Sequence, residues 1–537
     1  MITRVNIKFT YFFLLSTAVL ICYFNIFVNE FVFDDTGFIS GNVLEHKSLA
    51  NIPKFFNSPT GELYRPLRSI AYALTHLIWA TKTFGYHLNS ILFHIACTVL
   101  LYLIVKILIK EETVALFAAL FFATHPIHTE SVTFMTASFD LLGPVFFLLA
   151  IYLYLQSIDN IKQRFFYFAS IISFTIAAFS SEMSLTLPFV LILVEWYLSR
   201  KFSLKNYIPF FLIAVFYIFV RFVVLGITGR STGEHYLAYN RLWTLLTMAK
   251  VFVYYVYLLF IPKLYSQPDY EDYFKMSVSL SDPGVISPLL FLILLLIIAI
   301  VIRKNSRIIS FSIFWFFITL LPVSNIIPMK NIMAERHLYI PSIAACILLP
   351  VTLVKIFYAK KIFYFSAIIL LLVYGTFAIK RNTDWKDRIT LWTRTLINFP
   401  QSGKAYTGLG VAYAEKKQFD KAIYYFSELK KLDPDDIENL YNLGTAYLDN
   451  GKYELAIDTF KEILIFNPEE TGALVRIGMI YNKINNYDMA IKFFKQVLEQ
   501  NPNYAEMYER IGIIYFNKGQ FNQAIEELKK SIEIKPS

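Results

Sequence analysis

Apolar residues occur in long runs from Phe9 to about residue 380, and beyond that point only in short groups of helical period. The first run reaches from Phe9 to Val28, and comparable runs follow at close intervals. A helix needs about 20 consecutive apolar residues to cross the hydrocarbon layer. The pattern therefore predicts a bundle of about 11–12 transmembrane helices over residues 1–380. Residues 381–402 form a connector, and a different helical domain fills 403–537. Arg4 and Lys8 precede the first run, as they would in a signal peptide, but the run is long and no small-residue cleavage site precedes Asp34. It is read as an uncleaved span.

Short basic turns alternate with basic-poor connections. Lys106 and Lys110, Lys162 and Arg164, Arg200 to Lys205, Arg303 to Arg307, and Lys360 with Lys361 mark the cytoplasmic turns. The first outer loop, 29–85, and the connections near 124–130, 180–184, 226–242 and 322–335 then lie on the non-cytoplasmic face. Two apolar segments, 243–261 and 286–302, separate an outer connection from an inner one, where a single crossing is allowed. The segment 243–261, followed by Pro262 and rich in tyrosine, is expected not to cross. Eleven crossings then place the C-terminal domain on the face of the 29–85 loop.

The C-terminal pattern repeats. Pro400, Pro434, Pro468, Pro502 and Pro536 are 34 residues apart, as are Gly410, Gly444, Gly478 and Gly512. Tyr413, Tyr447, Tyr481 and Tyr515 keep the same period, and so do Ala422, Ala456, Ala490 and Ala524. This is the tetratricopeptide pattern, four helical hairpins stacked into an α-solenoid. Small residues mark close helix approaches, and each Pro ends a second helix. Such stacks present a groove that holds polypeptide. The overall class is all-α.

Hydrophobic residues make up 56% of the 537 residues, above what one soluble core requires. From Arg381 onward 21 Lys and Arg balance 22 Asp and Glu, which leaves 29 against 18 before it, so the basic excess belongs to the membrane part. The near-neutral tail gives no ground for nucleic-acid binding. Cys22, Cys97 and Cys346 lie within apolar segments and form no disulfide or metal pattern. No phosphate-cradling glycine loop or Gly-x-Ser-x-Gly elbow occurs, so a donor dissolved in the lipid fits better than a soluble nucleotide.

Ionisable residues beside membrane spans are costly and point to function. They collect on the outer face: Asp34 and Asp35, Arg65, His125, His128 and Glu130, Asp140, Glu182, Arg221, and Glu335 with Arg336. Adjacent carboxylates suit a general base or a divalent cation. The His125/His128 spacing is not that of a zinc protease, and zinc is not assigned.

Taken in order, Phe33-Asp34-Asp35, Tyr64-Arg65-Pro66-Leu67, His87-Leu88-Asn89 with His94, His125-Pro126-Ile127-His128-Thr129-Glu130, Asp140-Leu141-Leu142, Leu185-Thr186-Leu187-Pro188 and Glu335-Arg336-His337-Leu338-Tyr339-Ile340-Pro341-Ser342 resemble the transmembrane and tetratricopeptide-repeat-containing (TMTC) O-mannosyltransferase-like family, in its bacterial form. The resemblance implies a GT-C glycosyltransferase fold and sugar transfer from a polyprenyl-phosphate carrier to a protein hydroxyl on the non-cytoplasmic face. It implies Asp34 and Asp35 as the acceptor-activating acidic motif. Arg336, with Arg65, Arg221 and Glu335, is expected at the donor phosphate or substrate, supported by His125, His128, Glu130, Asp140 and Glu182. The chain departs from the relatives at Ser181 and Phe139, where they carry basic residues. Expected partners are the lipid-linked donor, an acceptor polypeptide on the repeats and the bilayer. The expected location is a bacterial inner membrane with outward repeats, or an endoplasmic-reticulum membrane with lumenal repeats. Two alternatives stay open: a non-catalytic repeat scaffold for envelope proteins, and an envelope glycan ligase or polymerase using a pyrophosphate-linked oligosaccharide.

Overall fold

The computed structural model describes residues 8–35, 49–57, 64–158, 162–227, 241–264, 266, 270, 274, 277, 279, 283–327, 332–357 and 359–535. Thr36, Pro536, and most of the first outer loop and of the 226–242 connection lie outside these residues. All regular structure among the described residues is helical. The chain divides into two units, Met1–Arg394 and Thr395–Ser537.

The first unit has two chemically distinct rims. At one, Lys8 and Lys106 both reach Glu112, at 3.3 and 3.1 Å, so the start of the first helix, the end of Thr83–Ile109 and the start of Glu112–Thr124 meet there. Arg307 donates to Ser199 and Lys355 to Ser306 at the same rim. These are the basic turns of the sequence pattern. The ends of the same helices that lie away from these turns carry the acidic and arginine-rich connections.

Among the described residues, six helices are long and apolar enough to cross a membrane: Phe9–Val28, Thr83–Ile109, Met135–Ile158, Arg241–Phe260, Pro283–Lys304 and Lys360–Asp384. Shorter apolar helices complete the bundle, including Glu112–Thr124, Ile208–Val224, Arg307–Val323 and Ser342–Ile356. Arg241–Phe260 behaves differently from the rest. Thr247 accepts from the Ser277 backbone amide, Met248 Sδ from Asn325, Tyr255 bonds Ala334, and the Leu259 carbonyl meets His125. Just beyond it, the Lys263 carbonyl accepts from Arg381. Asn325 and Ala334 lie in connections, His125 directly follows the Glu112–Thr124 helix, and Arg381 lies in the last turn of Lys360–Asp384. By length and apolar character this helix is nonetheless one of the six able to cross.

The last helix of the unit, Lys360–Asp384, does not end at residue 380. Arg381, Asn382 and Asp384 are buried. Asn382 donates to Cys22 O at 2.8 Å and its Oδ1 accepts from Thr133 at 2.9 Å. Polar residues expected to open a connector instead satisfy buried partners at the rim, which a helix end in an apolar setting requires. The Arg388–Asn398 helix occupies much of the remainder of the expected connector.

The second unit is four helical hairpins: Gly403–Glu415 with Phe419–Leu432, Ile437–Asp449 with Tyr453–Phe466, Thr471–Lys483 with Tyr487–Gln500, and Ala505–Asn517 with Phe521–Ile534. Ser402 and Asp436 cap two of the first helices through side-chain oxygens. The periodic glycine has a direct cause. A Cβ on Gly410 would stand 2.3 Å from the Phe426 ring, and on Gly478 2.6 Å from the Phe494 ring. In both hairpins the ring of the second helix lies directly on the glycine of the first.

Candidate active site

A cavity of about 400 Å³ opens at the rim opposite the basic turns. Its polar wall is built from Asp34, Arg65, Arg68, Asp140, Glu182, Arg221 and Arg336, drawn from connections far apart in the chain. Its other wall is apolar, with Leu185, Phe189, Ile218, Phe222, Leu321 and Ile327. Phe189, Ile218, Leu321 and Ile327 are also exposed on the outside of the bundle. The cavity thus joins a charged end to a lipid-facing gap.

Local sequence places each charge. Pro66 occupies the first turn of the Pro66–Trp79 helix, where its missing amide costs nothing, and Arg65 caps the helix in a non-helical conformation. Arg65 bridges Asp140 at 2.7 Å and Glu182 at 2.5 Å. One turn on, Arg68 reaches Asp140 at 3.1 Å and the Thr136 carbonyl at 2.7 Å. Arg221 lies in a π-helical turn, Val220–Val224, and pairs with Glu182 at 3.1 Å. Such wide turns recur at functional sites because they redirect side chains. Gly143 lets the Ser181 turn approach, since a Cβ there would stand 2.6 Å from Ser181 Cβ. Arg336 pairs with Glu130, whose second oxygen accepts the Arg336 backbone amide at 2.9 Å.

Burial alone would raise the Glu182 carboxyl, but Arg65 and Arg221 together hold it below its ordinary range. Burial opposes the charge on Arg336, and Glu130 more than restores it. Asp140 and Glu182 likewise favour the charge on Arg65, so Arg65 and Arg336 stay cationic, and preorganised charge of this kind acts strongly on a bound anion.

The two adjacent aspartates have different environments. Asp34 is exposed and lines the cavity. Asp35 is fully buried. Its Oδ1 accepts from Thr136 N at 2.7 Å and Thr136 Oγ1 at 2.5 Å, and its Oδ2 from Val32 N at 3.2 Å. Burial is the main cause that pushes its carboxyl from 3.8 up to about 7. The preceding residue, Phe33, has a φ of 51°, a conformation unusual for an aromatic residue. That turn directs the two successive carboxylates to opposite sides.

Three expected site residues take other roles. His125 and His128 are buried and do not line the cavity. His125 bonds the Leu259 carbonyl and accepts from Ile127 N, while His128 bonds the Phe122 carbonyl and Ser342. With both ring nitrogens engaged, these imidazoles tie helices together. Glu335 is also buried and points away from the cavity to Arg381 and Tyr270. Among the described residues, no three His, Cys, Asp or Glu side chains gather as a metal site.

Arg68, Thr136 and the apolar wall were not singled out from the sequence. Arg68 could have been, because it lies three residues after Arg65 on the same helix face. The two departures also have clear structural places. Ser181 lines the cavity. Phe139 stacks on Tyr72 with ring centroids 3.9 Å apart.

Four tetratricopeptide-repeat family models match residues 381–437, 413–477, 472–504 and 505–537. The chain is 25% identical over 496 residues to the human protein O-mannosyl-transferase TMTC3, covering 80% of this chain and 52% of that protein. It is 24% identical over 439 residues to the Caenorhabditis elegans protein O-mannosyl-transferase F38B6.6, covering 78% and 62%. The human protein O-mannosyl-transferase TMTC2 is 34% identical over 155 residues, covering 27% and 18%. The chain therefore spans about half the length of the TMTC3 relative. Among solved structures, MamA is 25% identical, covering 27% of this chain and 85% of that chain at a TM-score of 0.26. YrrB is 23% identical, covering 35% and 93% at a TM-score of 0.26. The TMTC3 match extends well beyond the repeats and into the membrane helices, so over most of its length this chain is homologous to the protein O-mannosyl-transferases of the TMTC type.

Proposed function

We propose that the chain is a membrane glycosyltransferase of the GT-C kind that moves mannose or another hexose from a polyprenyl-phosphate carrier to a protein hydroxyl on the non-cytoplasmic face. The observation that carries this reading is one cavity that joins an exposed carboxylate, Asp34, to four arginines and to an apolar, lipid-facing gap. A polyprenyl phosphate has the matching parts, an anionic head and an isoprenoid tail.

In the reaction, the acceptor hydroxyl gives its proton to Asp34 as its oxygen bonds the anomeric carbon. The bond from that carbon to the phosphate oxygen breaks, and the lipid phosphate leaves with the electron pair. Arg336 and Arg221 stabilise the charge on the departing phosphate, held in place by Glu130 and Glu182. Arg65 and Arg68 fix Asp140 and the Thr136 segment, and Asp35 anchors the turn that presents Asp34. The tetratricopeptide repeats hold the acceptor polypeptide.

The test is transfer by the purified protein from polyprenyl-phosphate mannose or glucose to an unstructured Ser/Thr-rich polypeptide. Transfer that is lost in Asp34→Asn is expected. Transfer undiminished in Asp34→Asn removes the base assignment, and no transfer from either donor removes the reading.

A further inference from the structure

Residues 381–394, the last turn of Lys360–Asp384 and the segment that follows it, pack behind both sides of the cavity. Arg381 is fully buried and pairs with Glu335, the residue next to cavity-lining Arg336. Tyr270 donates to the other oxygen of Glu335 at 2.7 Å, so the carboxylate is held from two directions. Three residues on, Asp384 accepts from Ser266 N at 2.8 Å and lies 3.5 Å from Arg394. The same segment then reaches the turn that carries Asp34. Glu30 N donates to the Lys386 carbonyl at 2.8 Å. Trp385 stacks on Phe134 with centroids 5.2 Å apart, within a cluster that includes Val32 and Leu391. Trp392 packs edge-on against Phe33 at 5.5 Å, the residue with the left-handed backbone immediately before Asp34. No residue of the 381–394 segment lines the cavity itself.

A backbone conformation such as that of Phe33 is costly for a residue other than glycine and persists only where its surroundings enforce it. A buried ion pair adds little net stability, yet removing one partner leaves a buried charge that has to find another arrangement. We propose that residues 381–394 form a positioning clamp, in which Arg381 sets Arg336 through Glu335, and Trp392 with Trp385 sets Asp34 through Phe33. Arg381 and Trp392 are positioning residues and touch no substrate. The inference rests on the proposed function only for the chemical roles of Asp34 and Arg336; the clamp itself is a statement about geometry.

The experiment keeps the two separable. Arg336→Cys and Asp34→Cys are made in the full chain, and the labelling rate of each thiol by a membrane-impermeant maleimide is measured in detergent. The natural Cys22, Cys97 and Cys346 are all buried and give a low background. Arg381→Met should change labelling at 336 several-fold and leave 34 nearly unaltered, with Trp392→Ala doing the reverse. Arg381→Lys should restore much of the wild-type rate at 336. Where Arg381→Met does not fold, Glu335→Gln tests the same link. Unchanged rates overturn the clamp, and so does an equal change at both thiols, which marks general loosening. Transfer kinetics form a second arm: Arg381→Met should raise KM for polyprenyl-phosphate mannose, whereas Trp392→Ala should lower kcat. Absence of transfer in the wild-type chain counts against the proposed function alone, since the labelling rates still decide the clamp.

Discussion

Replacing Asp35 by asparagine should remove a part of the protein's stability that falls as pH rises. The carboxyl is fully buried and its pKa is about 7, against 3.8 when unperturbed, with burial the leading cause. Between those values the folded protein binds a proton that the unfolded chain has released, so stability falls with increasing pH. The contribution is complete below pH 3.8 and is lost as pH passes about 7. The gap is worth about 4 kcal/mol across the window. The carboxamide of Asp35→Asn would be neutral throughout and would not contribute this slope. It would keep one oxygen for Thr136 but turn its NH2 group toward Val32 N, which costs about 1–3 kcal/mol at every pH. The two stability curves should therefore differ in slope, with Asp35→Asn gaining on wild type as pH rises from 4 to 8. At about 2 °C or less per kcal/mol for a unit this large, the difference between the curves should change by up to about 8 °C. Thermal unfolding in detergent, followed across pH 4 to 8, measures it. A parallel slope in the two proteins would refute the reasoning, because it would mean that Asp35 is not the group being titrated.

Asp34→Asn should lower transfer by about 10²–10⁴-fold while leaving polyprenyl-phosphate binding within a few-fold, as expected for loss of a general base; single-turnover rates and lipid binding separate the two. Arg65→Met leaves Asp140 and Glu182 each without one partner and should destabilise the membrane unit by about 3–5 kcal/mol, read as a lowered melting temperature. Gly410→Ala forces a methyl into the Phe426 ring and should cost about 1–3 kcal/mol, seen as early melting of the repeats by protease sensitivity. Single cysteines at Thr247 and Lys263 test the expectation that 243–261 does not cross: both should react from the side of the cavity in sealed vesicles, and labelling of one of them only from the opposite side would show that Arg241–Phe260 crosses.

Much of the architecture could be read locally. A run of apolar residues must be a helix in lipid because its amides have no other partner, so membrane helices appear directly in the pattern. The 34-residue glycine period was equally legible, because each glycine answers an aromatic or leucine side chain only 16 residues ahead, as Gly410 does Phe426. Charge also reported the two rims, since Lys8, Lys106 and Glu112 meet where the basic turns predicted. The candidate site was legible as a set of outer-face ionisable residues, and Asp34, Arg65, Asp140, Glu182, Arg221 and Arg336 do gather at one cavity.

What the sequence could not determine is which way each side chain turns. Asp34 and Asp35 are chemically identical neighbours, and only the left-handed turn at Phe33 exposes one and buries the other. His125, His128 and Glu335 belong to motifs shared with the site, yet packing assigns them buried partners 134, 214 and 65 residues away, Leu259, Ser342 and Tyr270. Arg381 gave no signal because its partner, Glu335, is 46 residues distant and on another element. Periodicity, charge asymmetry and local motif follow from covalent neighbours and the solvent, so the sequence alone sets them. The orientation of a carboxylate or an arginine depends on which distant group compensates its desolvation, and that is decided only once the chain has packed.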